Sequence, residues 1–99
     1  MSMAELVAAG APELPEGHFY RVRESSNALL KVELRRQGRW LSALVDDVYV
    51  RPGSYETPEA AVVAACKRVF EDWEARQADC AAFRASRSLL GDHDPRGGK

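Results

Sequence analysis

The C-terminal half of this 99-residue chain contains a 33-residue segment, 58–90, with no glycine and no proline after its first residue. Nine of its positions follow a four-three alternation, and seven of those nine are apolar. This spacing places them in one stripe along an α-helix, and the alanines around them have the highest helix propensity. The segment therefore predicts one long helix, with Thr57 as its N-cap and Pro58 at its first position. The stripe consists of Val62, Cys66, Val69, Trp73, Arg76, Cys80, Phe83, Arg87 and Leu90.

The sequence before the helix alternates with the period of two that is typical of β-strands. Three segments show it: FYRVRE (19–24), LLKVELRR (29–36) and RWLSALV (39–45). One apolar face and one polar face indicate an antiparallel sheet that is covered on one side. The residues predicted to face the core are Tyr20, Val22, Leu30, Val32, Leu34, Leu41, Ala43 and Val45.

Turn residues separate the predicted strands. Gln37-Gly38 indicates a tight hairpin, in which glycine would supply a positive φ. Residues 48–50, VYV, either extend the third strand past a bulge at Asp46-Asp47 or form a short fourth strand. Both alternatives agree with the sequence.

The predicted fold is α+β: an antiparallel meander of three strands, or of four if 48–50 form a strand of their own, packed on one long C-terminal helix, with a short N-terminal helical segment. Residues 1–17 comprise the short helix and a proline-rich acidic connector, 18–90 form a single α+β domain, and 91–99 form a disordered tail. A chain of this length forms one small domain.

The predicted helix is too long for the rest of the chain to cover. At 1.5 Å per residue it would span ~50 Å, whereas a compact domain of this size has a diameter of ~35 Å. Two solutions exist: the helix breaks near Gln77–Asp79 and folds back, or it continues and pairs with a second copy. The unbroken heptad spacing favours a homodimer. The candidate dimer seam consists of Trp73, Arg76, Cys80, Phe83, Arg87 and Leu90.

The net charge of −1 argues against a dedicated nucleic-acid-binding protein, although residues 18–51 carry seven bases and four acids. These bases lie on the polar strand face and around the hairpin, next to a tryptophan that could stack on a base. The candidate partner or nucleic-acid surface consists of Arg21, Arg23, Lys31, Arg35, Arg36, Arg39 and Trp40.

The order of a short helix, three antiparallel strands and a long helix is similar in outline to the double-stranded-RNA-binding domain. Those domains begin the second helix with a Lys-Lys motif. This chain has TPEAA (57–61) there, with Glu59 in the place of a phosphate-binding cation, and Lys67-Arg68 comes too late. The chain is therefore not assigned to that family.

No residue set in the sequence predicts catalysis, a cofactor or a metal ion. Asp46 and Asp47 are adjacent in a strand, so their carboxylates would point to opposite faces. Cys66 and Cys80 are fourteen residues apart, ~21 Å along a helix, which is too far for a disulfide. His93, between two aspartates, falls on the predicted tail, and no Gly-rich phosphate loop or enzyme motif is present.

We therefore expect a small non-catalytic binding module, a protein–protein adaptor or inhibitor that acts as a homodimer, rather than an enzyme. Its expected partners are itself and an unidentified protein, and no membrane. The alternative is a nucleic-acid-binding accessory protein that uses the Arg-rich face. Two cysteines and an N-terminus without a basic lead indicate the cytoplasm. The abundance of alanine and arginine, whose codons are GC-rich, suggests a bacterial or phage accessory protein.

Overall fold

The computed structural model describes residues 2–91 and contains one three-stranded sheet and two α-helices. The strands are antiparallel in the order β1-β2-β3, and the long helix packs on one face of the sheet. This is the predicted α+β fold. Residues 48–50 continue the third strand, so the alternative of a fourth strand is wrong. The bounds are α1 Met3–Ala8, β1 His18–Glu24, β2 Leu30–Gln37, β3 Ser42–Val50, a 3-10 turn Pro52–Ser54, α2 Pro58–Ala85 and a 3-10 turn Ser86–Leu89.

The alternation of β2 determines which face of the sheet is buried. Val32 and Leu34 are completely buried, and their neighbour across β1, Tyr20, is also buried. Opposite them α2 buries Cys66 and Val69. Burying one such aliphatic side chain stabilises a fold by about 1.5–3 kcal/mol, so this sheet–helix layer is the main source of stability.

The inward face of β3 differs from the prediction. The strand begins at Ser42, and Leu41 and Ala43 are exposed rather than buried. The pairing with β2 shifts between Leu34 and Arg35, which leaves Val45 as an extra residue at a bulge. A bulge changes which residues face each side. After the bulge, the residues of β3 that face the helix are Asp46, Val48 and Val50. Of the three β3 residues predicted to face the core, only Val45 packs against it.

The hairpin between β2 and β3 is confirmed, but glycine is needed there for a different reason. Gly38 is not among the residues with positive φ. Its N–H donates a hydrogen bond to the Leu41 carbonyl over 3.0 Å, and a Cβ at position 38 would lie 2.4 Å from that oxygen. Gly38 therefore permits a close approach of the backbone.

Helix α2 begins as predicted and ends earlier. The Thr57 Oγ1 accepts a hydrogen bond from the Ala60 N–H at 3.0 Å. The α-helix then runs without interruption to Ala85, so the alternative of a break near Gln77–Asp79 is wrong. The last predicted turn is a 3-10 turn, and the Ser86 hydroxyl there donates to the helix carbonyls. A side chain that binds these carbonyls competes with continuation of the helix.

The N-terminal segment packs against the domain. Leu6 of α1 and Ala11 of the connector belong to the buried core. The Tyr20 hydroxyl donates a hydrogen bond to the Pro12 carbonyl over 2.8 Å, which holds the connector against β1. Residues 2–17 therefore close one side of the core.

The described chain is elongated. Its radius of gyration is 18.9 Å and its extents are 63 × 33 × 26 Å, against ~13 Å expected for the radius of a compact domain of this length. The excess length comes from the end of α2, because no residue from 76 to 90 is buried. We call residues 76–90 the arm.

The N-cap provides a test of the helix start. Replacing Thr57 by alanine removes the acceptor of the Ala60 N–H and should lower the free energy of unfolding by about 1 kcal/mol. Thr57→Ser keeps the hydroxyl and should stay close to the native value. Urea unfolding followed by circular dichroism measures both. Equal stability of the alanine and serine variants would contradict the role of the cap.

Candidate functional site

The sheet covers only the first part of the apolar stripe along α2. Val62, Cys66 and Val69 are buried under the sheet. Trp73 is half-buried at the edge of the core. Beyond it, Cys80 is exposed and Phe83 retains 64% of its accessible surface. One helix face therefore supplies both the core and an uncovered apolar surface on the arm.

Arg76 is in contact with its own chain. Its Nη2 donates a hydrogen bond to the Asp46 Oδ2 at 3.0 Å, and the Asp46 side chain is nearly buried. This ion pair joins β3 to α2 where the sheet ends. Any role of Arg76 in a dimer seam would therefore have to be compatible with this pair.

An aromatic groove lies between the connector and α2, and the sequence analysis did not identify it. The rings of His18 and Phe70 lie 5.2 and 5.9 Å from the ring of Trp73, centroid to centroid. We call the depression around Trp73 the aromatic groove. Three chain segments meet there, so no local sequence pattern marked it. Its lining residues are Glu13, Leu14, Pro15, Phe70, Trp73, Glu74 and Gln77.

The open face of the sheet is organised by a buried acid. Glu33 is only 4% exposed, although it points away from the helix. Its carboxylate lies 2.9 Å from Nη1 of Arg35 and 3.4 Å from both Nζ of Lys31 and Nε of Arg23. Burial by itself would raise the pKa of Glu33, but the hydrogen bonds from Arg35 and Lys31 outweigh it and hold the pKa below its ordinary value.

The two adjacent aspartates lie on opposite faces of β3, as predicted. Asp46 contacts Arg76 of the helix, whereas Asp47 lies 3.4 Å from Lys31 on the open face. The hydrogen bonds of Lys31 to Glu33 and Asp47 raise its pKa. The two carboxylates therefore do not form an acid–base pair.

The Arg-rich set does not form one surface. Arg21, Arg23, Lys31 and Arg35 share the open face, but Arg36 lies on the opposite face, beside His18 and Ala43. Arg39 and Trp40 lie on the hairpin tip, where Trp40 is 85% exposed.

Arg35 is mainly a structural residue. Besides its contact with Glu33, it donates from Nε to the Ser42 Oγ at 2.8 Å and from Nη2 to the Ser42 carbonyl at 3.1 Å. These bonds span the start of β3 next to the bulge. Its guanidinium is therefore less available to a ligand than the exposed one of Arg39.

The two cysteines differ in reactivity. Both are free; Cys66 is buried and Cys80 is exposed. Burial raises the pKa of the Cys66 thiol to about 12, which makes it a poor nucleophile. Cys80 is therefore the thiol that a reagent can reach.

Two kinds of site are not found in the part of the chain that the structure describes. Among residues 2–91 no cluster of three or more histidines, cysteines and acids is placed to hold a metal ion. No described helix has the length and apolarity required to cross a bilayer. His93 and its flanking aspartates lie outside the described residues, as does the predicted tail beyond Gly91.

No family model matches the chain, and no match to it was found among the curated proteins or the solved structures. The function of the chain therefore has to follow from the surfaces described above.

The Glu33 cluster predicts a pH-dependent stability. Because the pKa of Glu33 is lower in the folded chain, its carboxylate stabilises the fold above roughly pH 4, and this contribution is lost as the pH falls through the folded-state value. Glu33→Gln should therefore lower the free energy of unfolding by about 2 kcal/mol at neutral pH, and by less near pH 3.

Glu24→Gln is the matched control, because Glu24 is exposed at the end of β1. Urea unfolding at both pH values measures the two variants. A loss for Glu33→Gln that is the same at both pH values would show that the carboxylate charge does not organise this face.

Proposed function

We propose that the chain is a small non-catalytic protein–protein binding module, an adaptor or inhibitor that acts as a homodimer through its arm. The observation that carries this proposal is the uncovered apolar stripe of the arm. The stripe continues the same helix face that the sheet covers further back. An ideal helix drifts by only about 20° per heptad relative to this spacing. Cys80 therefore lies about 40° around the helix from the buried Cys66, two heptads earlier.

The arm lacks tertiary packing within its own chain. In proteins most of the stability of a helix comes from packing of its apolar face rather than from helix propensity. The helical part of the arm, from Arg76 to Ala85, has no buried residue to anchor it. A second copy of the chain always offers the same stripe, and heptad spacing is the pattern by which helices pair. A homodimer therefore supplies the missing packing.

The hairpin tip is the surface proposed for the other partner protein. Trp40 and Leu41 are 85% and 82% exposed and lie side by side at the tip. Exposed tryptophan beside arginine is the composition of binding hot spots. A dimer would present two such tips, so that a repetitive partner could bind both with enhanced avidity. The two free thiols are compatible with a reducing cytoplasm, and the composition suggests a bacterial or phage accessory protein.

The homodimer is tested by the mass in solution. The native chain should be a dimer at tens of micromolar, and Phe83→Asp should make it a monomer, because an unpaired charge cannot remain buried in the seam. Light scattering with size-exclusion chromatography measures both. Trp40→Asp, an equally drastic change at the hairpin tip, should leave the dimer intact. A native monomer, or a dimer that survives Phe83→Asp, would refute the seam.

Nucleic-acid binding is the second candidate, and the hairpin tip favours it. Arg39 directly precedes a tryptophan that could stack on a base, and Arg36 lies close by at the end of β2. The open face contributes less, because Arg23, Lys31 and Arg35 form ion pairs with Glu33 and Asp47. Because these pairs reduce the positive charge of the face, we place nucleic-acid binding second.

A salt titration separates the two candidates. If the chain is a protein–protein binding module, no complex with duplex or single-stranded nucleic acid should be measurable at physiological salt. Under the second, Arg36→Ala should weaken binding to all sequences and reduce the slope of log K against log salt by about one unit. Fluorescence anisotropy with labelled oligonucleotides measures both quantities. A micromolar, salt-sensitive complex would reverse the ranking.

A further inference from the structure

We infer that the two arms of the dimer pair antiparallel, so that the end of each arm covers the aromatic groove of the other copy. The inference rests on the proposed homodimer and adds its geometry. It identifies the second copy as the occupant of the groove around Trp73.

The position of the sheet excludes a parallel pair. Val62, Cys66 and Val69 face the sheet of their own chain. In a parallel pair the two sheets, each on the stripe face of its own helix, would lie at the same level and compete for the space between the helices. The sheet already occupies that space from Val62 to Val69. An antiparallel partner helix contacts only the part of the stripe that lies beyond the first copy's sheet. The partner's sheet then lies past the C-terminal end of the first copy's arm.

The stripe on the arm is symmetric about its centre, between Ala81 and Ala82. The successive spacings from Trp73 to Leu90 are three, four, three, four and three residues, which read the same in both directions. Residues 86–89 form a 3-10 turn in the single chain, and the pairing requires that α2 continue through them as an α-helix. Two antiparallel copies then match every position of the stripe with another. The layers are Trp73 with Leu90, Arg76 with Arg87, and Cys80 with Phe83 of the second copy.

The apolar layers bury the most exposed parts of the stripe. Leu90 is 67% exposed, and it would lie against Trp73, whose ring is only half-covered by its own chain. Phe83 would lie against the small, exposed Cys80. The Arg76–Arg87 layer brings two cations together, but Asp46 already neutralises Arg76 from its own chain.

Charge along α2 also favours the antiparallel pair. Residues 71–79 carry four acids and one arginine, whereas residues 80–91 carry only Arg84 and Arg87. The groove itself is lined by the carboxylates of Glu13 and Glu74. Antiparallel pairing places the basic end of each arm beside the acidic segment and the groove of the other copy. Parallel pairing would place acidic beside acidic and basic beside basic.

Quenching of Trp73 fluorescence tests the geometry. The reporter chain carries Trp40→Phe, which leaves Trp73 as the only tryptophan, together with Cys80→Ala and Leu90→Cys with a nitroxide attached at position 90. Within one chain the nitroxide lies ~25 Å from Trp73, too far for contact quenching. In the antiparallel dimer it touches Trp73 of the second copy. Most of the Trp73 emission should therefore be lost at dimer-forming concentrations and recovered on dilution.

The matched control carries the nitroxide at Glu24→Cys in place of Leu90→Cys, at the far end of β1, and should show no such loss. Light scattering on the same samples separates the two proposals. A dimer without quenching would overturn the antiparallel geometry and leave the homodimer standing. A native monomer would overturn both.

Oxidation of the native chain gives a second measurement that involves no change in the seam. A parallel pair would place Cys80 against Cys80 of the second copy, within reach of a disulfide. The antiparallel pair places Phe83 there and offsets the two thiols along the helix. Mild oxidation of the native dimer should therefore give no disulfide-linked dimer, and efficient cross-linking through Cys80 would overturn the inference.

Discussion

The packing of α2 on β2 is the contact on which the rest of the structure depends, and its length is limited by the sheet. Val32 and Leu34 meet Cys66 and Val69 in a layer from which water is excluded. The strands have seven to nine residues, about 23–31 Å, whereas the 28-residue helix spans ~42 Å. The sheet cannot cover a helix of that length. A chain with an unbroken α2 therefore cannot form a compact monomer. The arm is exposed because the helix is longer than the strands that cover it.

The open face of the sheet shows how acids on neighbouring strands reduce the positive charge of a basic sequence. Glu33 is buried among three cations, and Asp47 shares one of them. Counting arginines along β1 and β2 overestimates the positive potential of this face, because cross-strand pairing brings the acids into contact with the bases. Of the remaining cations, Arg39 lies at the hairpin tip next to Trp40, Arg36 lies in β2, and Arg21 stacks over the ring of Phe19. The candidate partner surface is thus smaller than the sequence suggested, and it is more apolar.

The hairpin tip and the arm have different proposed roles. The hairpin tip presents an exposed aromatic side chain on a turn that Gly38 keeps tight. The arm presents a stripe whose spacing is that of a helix-pairing surface. The Arg76–Asp46 pair joins the arm to the sheet at the point where the core ends. Self-association and binding of a further partner would therefore use different residues, on the arm and on the hairpin tip.

The sequence by itself determined the element order, the cap of α2 and the buried face of β2, because each depends on local chemistry: period-two or heptad spacing, or a hydroxyl before a proline. The opposite placement of Asp46 and Asp47 followed from the same alternation. Only the tertiary structure decided the register of β3: the sequence allowed a bulge at Asp46-Asp47, but pairing with β2 places it at Val45. It also decided where α2 stops being covered, and that Arg76 binds Asp46, thirty residues away. The aromatic groove has the same origin, because the connector, β1 and α2 meet there only after the chain has folded.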